Sequence, residues 1–220
     1  MLRLNIGDAA TLAKAKTKLD ADYQEALQNK QQYEQILQAV KDADAAVKKQ
    51  LGKDSYTKQE VAAITTTDEG MLRNKAILAQ MFGIKDTIPE VLEELGDGIK
   101  YFTERLNYNL NKDFNGREIV GDDPYDWNDT NYGNGNPNNR VDDESHGTHV
   151  AGIIGAERNN GKGANGVANN VALMSIRAVP NGDEYDKDIA LGIRYAVDNG
   201  AKVINGSFGK SFSPNAQWVY

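Results

Sequence analysis

Between Asp8 and Leu51 the chain contains no glycine and no proline. Leu12, Ala15, Leu19, Tyr23, Ala26, Tyr33, Leu37, Val40, Val47 and Leu51 recur there at three- and four-residue steps. Gln, Lys, Asp and Glu fill the positions between. That spacing predicts one long amphipathic helix, because residues three and four apart share a helix face. Gly52 reads as its stop, and Thr57-x-x-Glu60 as a capping box that opens a short helix through Ile64. Asp68 can start the next helix, which carries Met71, Leu72, Ile77, Leu78 and Met81 to Gly83. Pro89 suits the first turn of a helix through Leu95, continuing to Leu106 past a break at Gly96–Gly98. Residues 1–112 are therefore expected to form a helical hairpin or small bundle. The stripe is rich in Ala and interrupted by Lys30, which disfavours a long coiled coil.

From about Asn115 the pattern changes. Glu118-Ile119-Val120-Gly121 is a short strand candidate, followed by a loop to Asn139 crowded with Asp, Asn, Gly and Pro. A helix is expected from His146 to about Glu157, then a Gly/Asn loop over Asn159–Gly166. Val171 to Val179 reads as a buried strand, and Tyr185 to Asn199 as a helix with Ile189, Ile193, Ala196 and Val197 on one face. Lys202 to Asn205 is the next strand. Strands alternating with helices predict an α/β unit over 113–220 with a parallel sheet, its site residues at the carboxyl ends of strands.

Composition narrows the function. Hydrophobic residues make up 40% of the chain and charged residues 26%, ordinary for a globular protein. The net charge of −7 argues against nucleic acid or an anionic membrane as partner. No cysteine is present, which removes disulfides and thiolate metal sites. No apolar run reaches the length of a membrane span, and the first residues lack a signal-peptide core.

His146-Gly147-Thr148-His149-Val150-Ala151-Gly152 holds both histidines of the chain. Histidine exchanges a proton near neutral pH, so one at a helix mouth is a candidate general base. The run resembles the histidine motif of subtilisin-like serine proteases (subtilases). Asn159-Asn160-Gly161-x-Gly163 with Gly166-Val167-Ala168 resembles that family's calcium-loop segment and the residues leading to its next strand. Asp198-Asn199-Gly200-Ala201 ends a matching strand–helix unit, and Val203-Ile204-Asn205-Gly206-Ser207-Phe208-Gly209 resembles the substrate-cleft strand. Gly206 stands there where the family usually has a larger apolar residue. The motifs cover about residues 115–220.

The resemblance implies a partial doubly wound parallel sheet, subtilisin-like, preceded by a helical insertion. It makes His146 the triad histidine, which takes the serine proton and returns it to the leaving amine. His149 is implied to be structural. Ser207, Phe208 and Gly209 would line the cleft and pair with an extended polypeptide substrate, and Gly182 to Glu184 would form the opposing wall. Asn160 matches a side-chain ligand for a structural calcium.

Other parts of the family pattern are missing. The sequence contains no Gly-Thr-Ser-Met-Ala nucleophile helix and no Asp-Ser-Gly or Asp-Thr-Gly, and Ser207, Ser211 and Ser213 are no substitutes. The triad aspartate is expected before Met1, with Asp122 as the stand-in. The chain alone is expected not to hydrolyse peptides, to be secreted or bound to the cell envelope, and to self-associate through an uncovered sheet edge.

Two other readings stay open. The two histidines, with Asp142, Asp143 and Glu144, could bind zinc. The helices of 8–110 could serve as an interaction module. Asn128-Asp129-Thr130 and Asn205-Gly206-Ser207 fit the glycosylation pattern and are read as chance.

Overall fold

The computed structural model describes residues 7–139, 144–180 and 182–220. It divides into two compact units, 8–112 and 113–220.

The first unit is helical. Helix α1 spans Ala9–Leu51, about 65 Å at the usual rise per residue. The Asp8 carboxylate caps it, accepting the Thr11 N–H at 2.9 Å, and Gly52 ends it in the left-handed region at φ 66°. Helices α2 (Lys58–Ala63), α3 (Glu69–Met81) and α4 (Ile88–Glu104) follow. Capping boxes open α2 at Thr57/Glu60 and α4 at Thr87/Glu90. Helix α1 packs against α3 and α4, and α2 against α3. Val40, Ala43, Val47, Val61, Leu78 and Ile88 lie in the buried core of this unit. Tyr56 joins the rim of that core, its hydroxyl donating to Asp44 Oδ1 at 2.7 Å.

The expected break at Gly96–Gly98 does not occur. Helix α4 runs through both glycines, because Gly98 is where the Tyr33 ring of α1 lies on bare backbone; a Cβ at that position would overlap the ring. Phe102, one turn on, meets the same ring edge-on at 5.6 Å. The helix ends in a π turn, Arg105–Asn109.

The second unit corrects the expected sheet. It holds α5 (Arg117–Val120), α6 (His146–Gly155), α7 (Asp186–Asp198) and a 3₁₀ turn, Ala216–Trp218, that packs on α7. No strand is present among the described residues. Glu118–Val120, expected as a strand, lies in the single turn of α5, closed by Gly121 at φ 82°. Val171–Val179 and Lys202–Asn205 have neither helical nor ladder pairing, and no backbone–backbone hydrogen bond joins them among the described residues.

The physical reason lies in what an apolar run encodes. It signals that side chains want cover on both faces, but it does not supply the neighbouring strand whose N–H and C=O groups complete a ladder. Val171, Leu173, Ile176 and Val203 accordingly stay exposed. Val171 and Leu173 approach Gly155 of α6, whereas Ile176, of opposite parity, approaches Gly192 of α7. The edge invoked for self-association is therefore absent as a sheet edge. Of the face expected on α7, Ile189 and Ala196 are buried but Val197 is 60% exposed.

Polar contacts hold this unit. Lys187, on α7, is fully buried. Its ammonium donates to the carbonyls of Asp123 at 2.5 Å and Asp129 at 2.8 Å, with Asp126 O at 3.4 Å, and faces the Tyr132 ring at 4.5 Å. Arg117 clamps Asp188 with two hydrogen bonds, at 2.6 and 3.2 Å. The Trp127 and Trp218 rings meet at 5.3 Å, with Arg194 over Trp127. No helix among the described residues is long and apolar enough to cross a membrane.

Candidate active-site segment

His146 is the first residue of α6, following Ser145. No side chain caps its first turn, and the space beside Gly147 and Gly152 is open. Its far end is closed by the returning chain. The N–H groups of Gly166, Val167 and Ala168 donate to the carbonyls of Ala156, Ile153 and Ile154 at 2.9–3.0 Å. These bonds satisfy acceptors that a helix end leaves open. A Cβ on Gly166 would sit 2.7 Å from Gly155 Cα, so this return requires glycine.

The chain entering α6 is fixed by Arg177. Its guanidinium pairs with Glu144 Oε1 at 2.7 Å and donates to Asn138 O at 2.6 Å. These bonds tie the helix mouth to the 171–179 segment. Glu144 thus serves Arg177; Asp142 and Asp143, the other acids of the zinc reading, lie outside the described residues. Among the described residues no three His, Asp or Glu groups converge on a metal position.

Two sequence-predicted site elements come together. His146 Nε2 lies 3.1 Å from the backbone carbonyl oxygen of Ser207. Asn205 Nδ2 donates to Ser207 Oγ at 2.8 Å. Phe208 is 47% exposed beside them, and Gly209 is exposed too. Gly182 takes φ 111°, a conformation that favours glycine. The segment after it is tied to this one by Lys210, whose ammonium donates to Glu184 O at 2.6 Å and pairs with Asp186 Oδ1 at 2.8 Å. Asp186 also accepts from Ser213 Oγ at 2.6 Å and Asn215 N at 2.7 Å. Burial pushes its carboxyl pKa up, but Lys210 and these donors outweigh that and hold it below the usual value.

Asp122, the stand-in aspartate, is placed elsewhere in its bonding. Its side chain is fully buried between Arg117 and Lys187. Arg117 Nε donates to Oδ1 at 2.7 Å. The Lys187 ammonium pairs with Oδ2 at 2.5 Å. Desolvation raises the Asp122 pKa, and the two cations more than reverse it, leaving it lowered. None of its contacts is to His146.

Asn160 uses its Oδ1 to accept the Lys162 N–H at 2.9 Å. Calcium takes about six to eight oxygens, usually with carboxylates. In the same loop Asn165 Oδ1 is likewise engaged, accepting the Asn159 N–H at 3.0 Å.

Lys187, Arg117, Lys210 and Asp186 were not among the residues picked out from the sequence. The available signal was a lysine one turn before Ala190 and Leu191 on the inward stripe of α7. A concavity of about 560 Å³ lies at the far end of α6 around Gly155–Asn159, and His146 does not line it.

The subtilase family profile matches residues 91–219, beginning inside α4 and so upstream of the segment where the motifs begin. A 79-residue stretch is 45% identical to the cell wall-associated protease of Bacillus subtilis (strain 168), covering 36% of this chain and 9% of that protein. A 98-residue stretch is 45% identical to the thermophilic serine proteinase of Bacillus sp. (strain AK1), covering 44% of this chain and 22% of that protein. Thermitase of Thermoactinomyces vulgaris is 40% identical over 93 residues, 42% of this chain and 30% of that protein. The chain thus spans less than a third of the length of these curated relatives. No solved structure matches it. With a family match over more than half of its length, the chain belongs to the subtilase family.

Proposed function

We propose that this chain is the histidine-bearing part of a subtilisin-like serine endopeptidase that cleaves polypeptides. The observation that carries the reading is the 3.1 Å approach of His146 Nε2 to the Ser207 carbonyl. It sets a general base beside the backbone segment that would bind an extended peptide. In the reaction His146 takes the proton of a serine hydroxyl as the serine attacks the scissile carbonyl, then gives it to the departing amine. Ser207 to Gly209 hold the substrate backbone by strand-like hydrogen bonds, and Gly182 to Glu184, anchored through Lys210, form the facing wall.

The nucleophile motif is not in this sequence. Asp122 is committed to Arg117 and Lys187, so the triad aspartate is also supplied by polypeptide outside residues 1–220. The chain by itself is inactive, because loss of triad members removes most of the rate. Residues 8–112 form a helical insertion between the aspartate and histidine segments. Work on polypeptide outside the cell fits relatives named as cell wall-associated or extracellular proteases.

Labelling with a fluorophosphonate probe tests this reading. The 220-residue chain should not label, and a polypeptide extended at both ends should label. His146→Ala in the longer polypeptide should abolish labelling while leaving its circular dichroism unchanged. Labelling of the short chain, or full labelling after His146→Ala, would overturn the assignment.

A further inference from the structure

Asn-Gly occurs seven times in this chain, with glycines at 116, 135, 161, 166, 182, 200 and 206. Six of these glycines have a structural reason. Gly135, Gly161, Gly182 and Gly200 adopt φ between 66° and 111°. Gly166 lies too close to the Gly155 backbone for a side chain, and a Cβ on Gly116 would press on the Phe114 ring at 3.2 Å. Gly206 has no such reason. Its φ is not positive, and a Cβ there would meet only the Phe208 ring, at an ordinary contact distance of 3.4 Å. The fold tolerates alanine at 206, yet the chain has glycine.

We propose that Asn205-Gly206 is a site of spontaneous deamidation within the cleft segment. The Gly206 amide nitrogen attacks Asn205 Cγ and loses its proton to water, and Nδ2 leaves as ammonia, which closes a succinimide. Water then opens the ring at either carbonyl, giving aspartate or isoaspartate.

The local structure favours each step. Asn205, Gly206 and Ser207 are exposed, so water reaches both carbonyls. The Gly206 N–H makes no hydrogen bond among the described residues, whereas the amides of Gly166 and Gly200 are held at 3.0 Å by Ala156 O and Val197 O. Ser207 Oγ accepts from the nitrogen that must leave at 2.8 Å; once Gly206 N has added and that nitrogen is an amine, the hydroxyl can turn to give it a proton and be reprotonated from solvent. At Asn134 and Asn160, by contrast, the side-chain oxygen is fixed in a turn by the N–H two residues on. Asn115 is half-buried, and its oxygen is closed off from water.

The consequence rests on the reading of residues 205–209 as the cleft segment. Aspartate places a new negative charge next to the residue that His146 faces. Isoaspartate also lengthens the main chain by one carbon just before Gly206, which displaces the Ser207 carbonyl now 3.1 Å from His146 Nε2. The cleft would thus carry its own ageing reaction.

Peptide mapping by mass spectrometry, after incubation of the 220-residue chain at mildly alkaline pH, tests the site. Asn205 should convert faster than Asn134 and Asn160. It should also outpace Asn165 and Asn199 by roughly tenfold, the effect of one hydrogen bond that must open first. Gly206→Ala should slow conversion at 205 by about tenfold, since a Cβ restricts the conformations that allow ring closure. An intact Asn205 beside converted Asn134 or Asn160, or equal conversion in Gly206→Ala, overturns the proposal. The mass readout does not depend on catalysis. If probe labelling fails while Asn205 converts, the modification site stands and the endopeptidase reading falls.

Discussion

The two units are held together by opposite means. In residues 8–112 the buried side chains are mostly apolar, from Ala15 and Ala26 through Val40, Val47, Val61, Leu78 and Val91. In residues 113–220 the buried residues include Arg117, Glu184, Asp186 and Lys187 beside Ile189, Ala190 and Ala196. Many large apolar side chains there, Val171 and Val203 among them, face solvent. Helices assembled from near neighbours in sequence bury their own stripes. A unit whose apolar runs find no ladder partner is held instead by ion pairs and a carbonyl cage.

Both tryptophans lie in the second unit, so their fluorescence reports on that unit while far-ultraviolet circular dichroism is dominated by the first. The sharpest break of the contrast is Lys187→Met. It leaves Asp122 buried without its second cation and three carbonyls without their donor, at a cost of about 3–5 kcal/mol. The tryptophan transition should move or vanish while the helical melt stays. Leu78→Ala should do the reverse, costing the helical melt about 2–5 kcal/mol and sparing tryptophan emission, because Leu78 is fully buried in the apolar core. A shared transition in either variant would mean that the units do not unfold separately.

Acid should separate them next. Asp122 and Asp186 have pKa values lowered in the folded state, so the unfolded chain binds more protons than the folded one as pH falls. Their stabilisation is complete above about pH 4 and is lost below it. Tryptophan emission should therefore shift in acid before helical ellipticity falls. The smallest effect is expected from Thr87→Ala, which removes one capping box for about 1 kcal/mol of the helical melt alone.

Much of the helical unit was legible in the sequence. The Gly-free and Pro-free run, the Thr-x-x-Glu boxes and Gly52 act within one turn of the residues they control, so local chemistry decides the outcome. Gly98 was misread because its reason, the Tyr33 ring, comes from another helix. In the second unit the helices were legible at His146 and Asp186, but the strands were not realised, since pairing depends on partners that a run such as Val171–Val179 does not contain. The meeting of His146 with Ser207 could be expected only through family motifs, because 61 residues separate them. Lys187 was missed because a charged residue is ordinarily assigned to the surface; beside Asp122 its partners are backbone carbonyls, which leave no mark in sequence.

Those carbonyls give the 122–132 loop an unusual independence. Oxygen cages of this kind are commonly filled by a dissolved cation, which comes and goes with its free concentration. Here the cation is covalently part of α7, at an effective concentration that dilution cannot lower. A chelator has nothing to remove from it. The loop should keep its tryptophan signature in excess EDTA, at any metal concentration the surroundings impose.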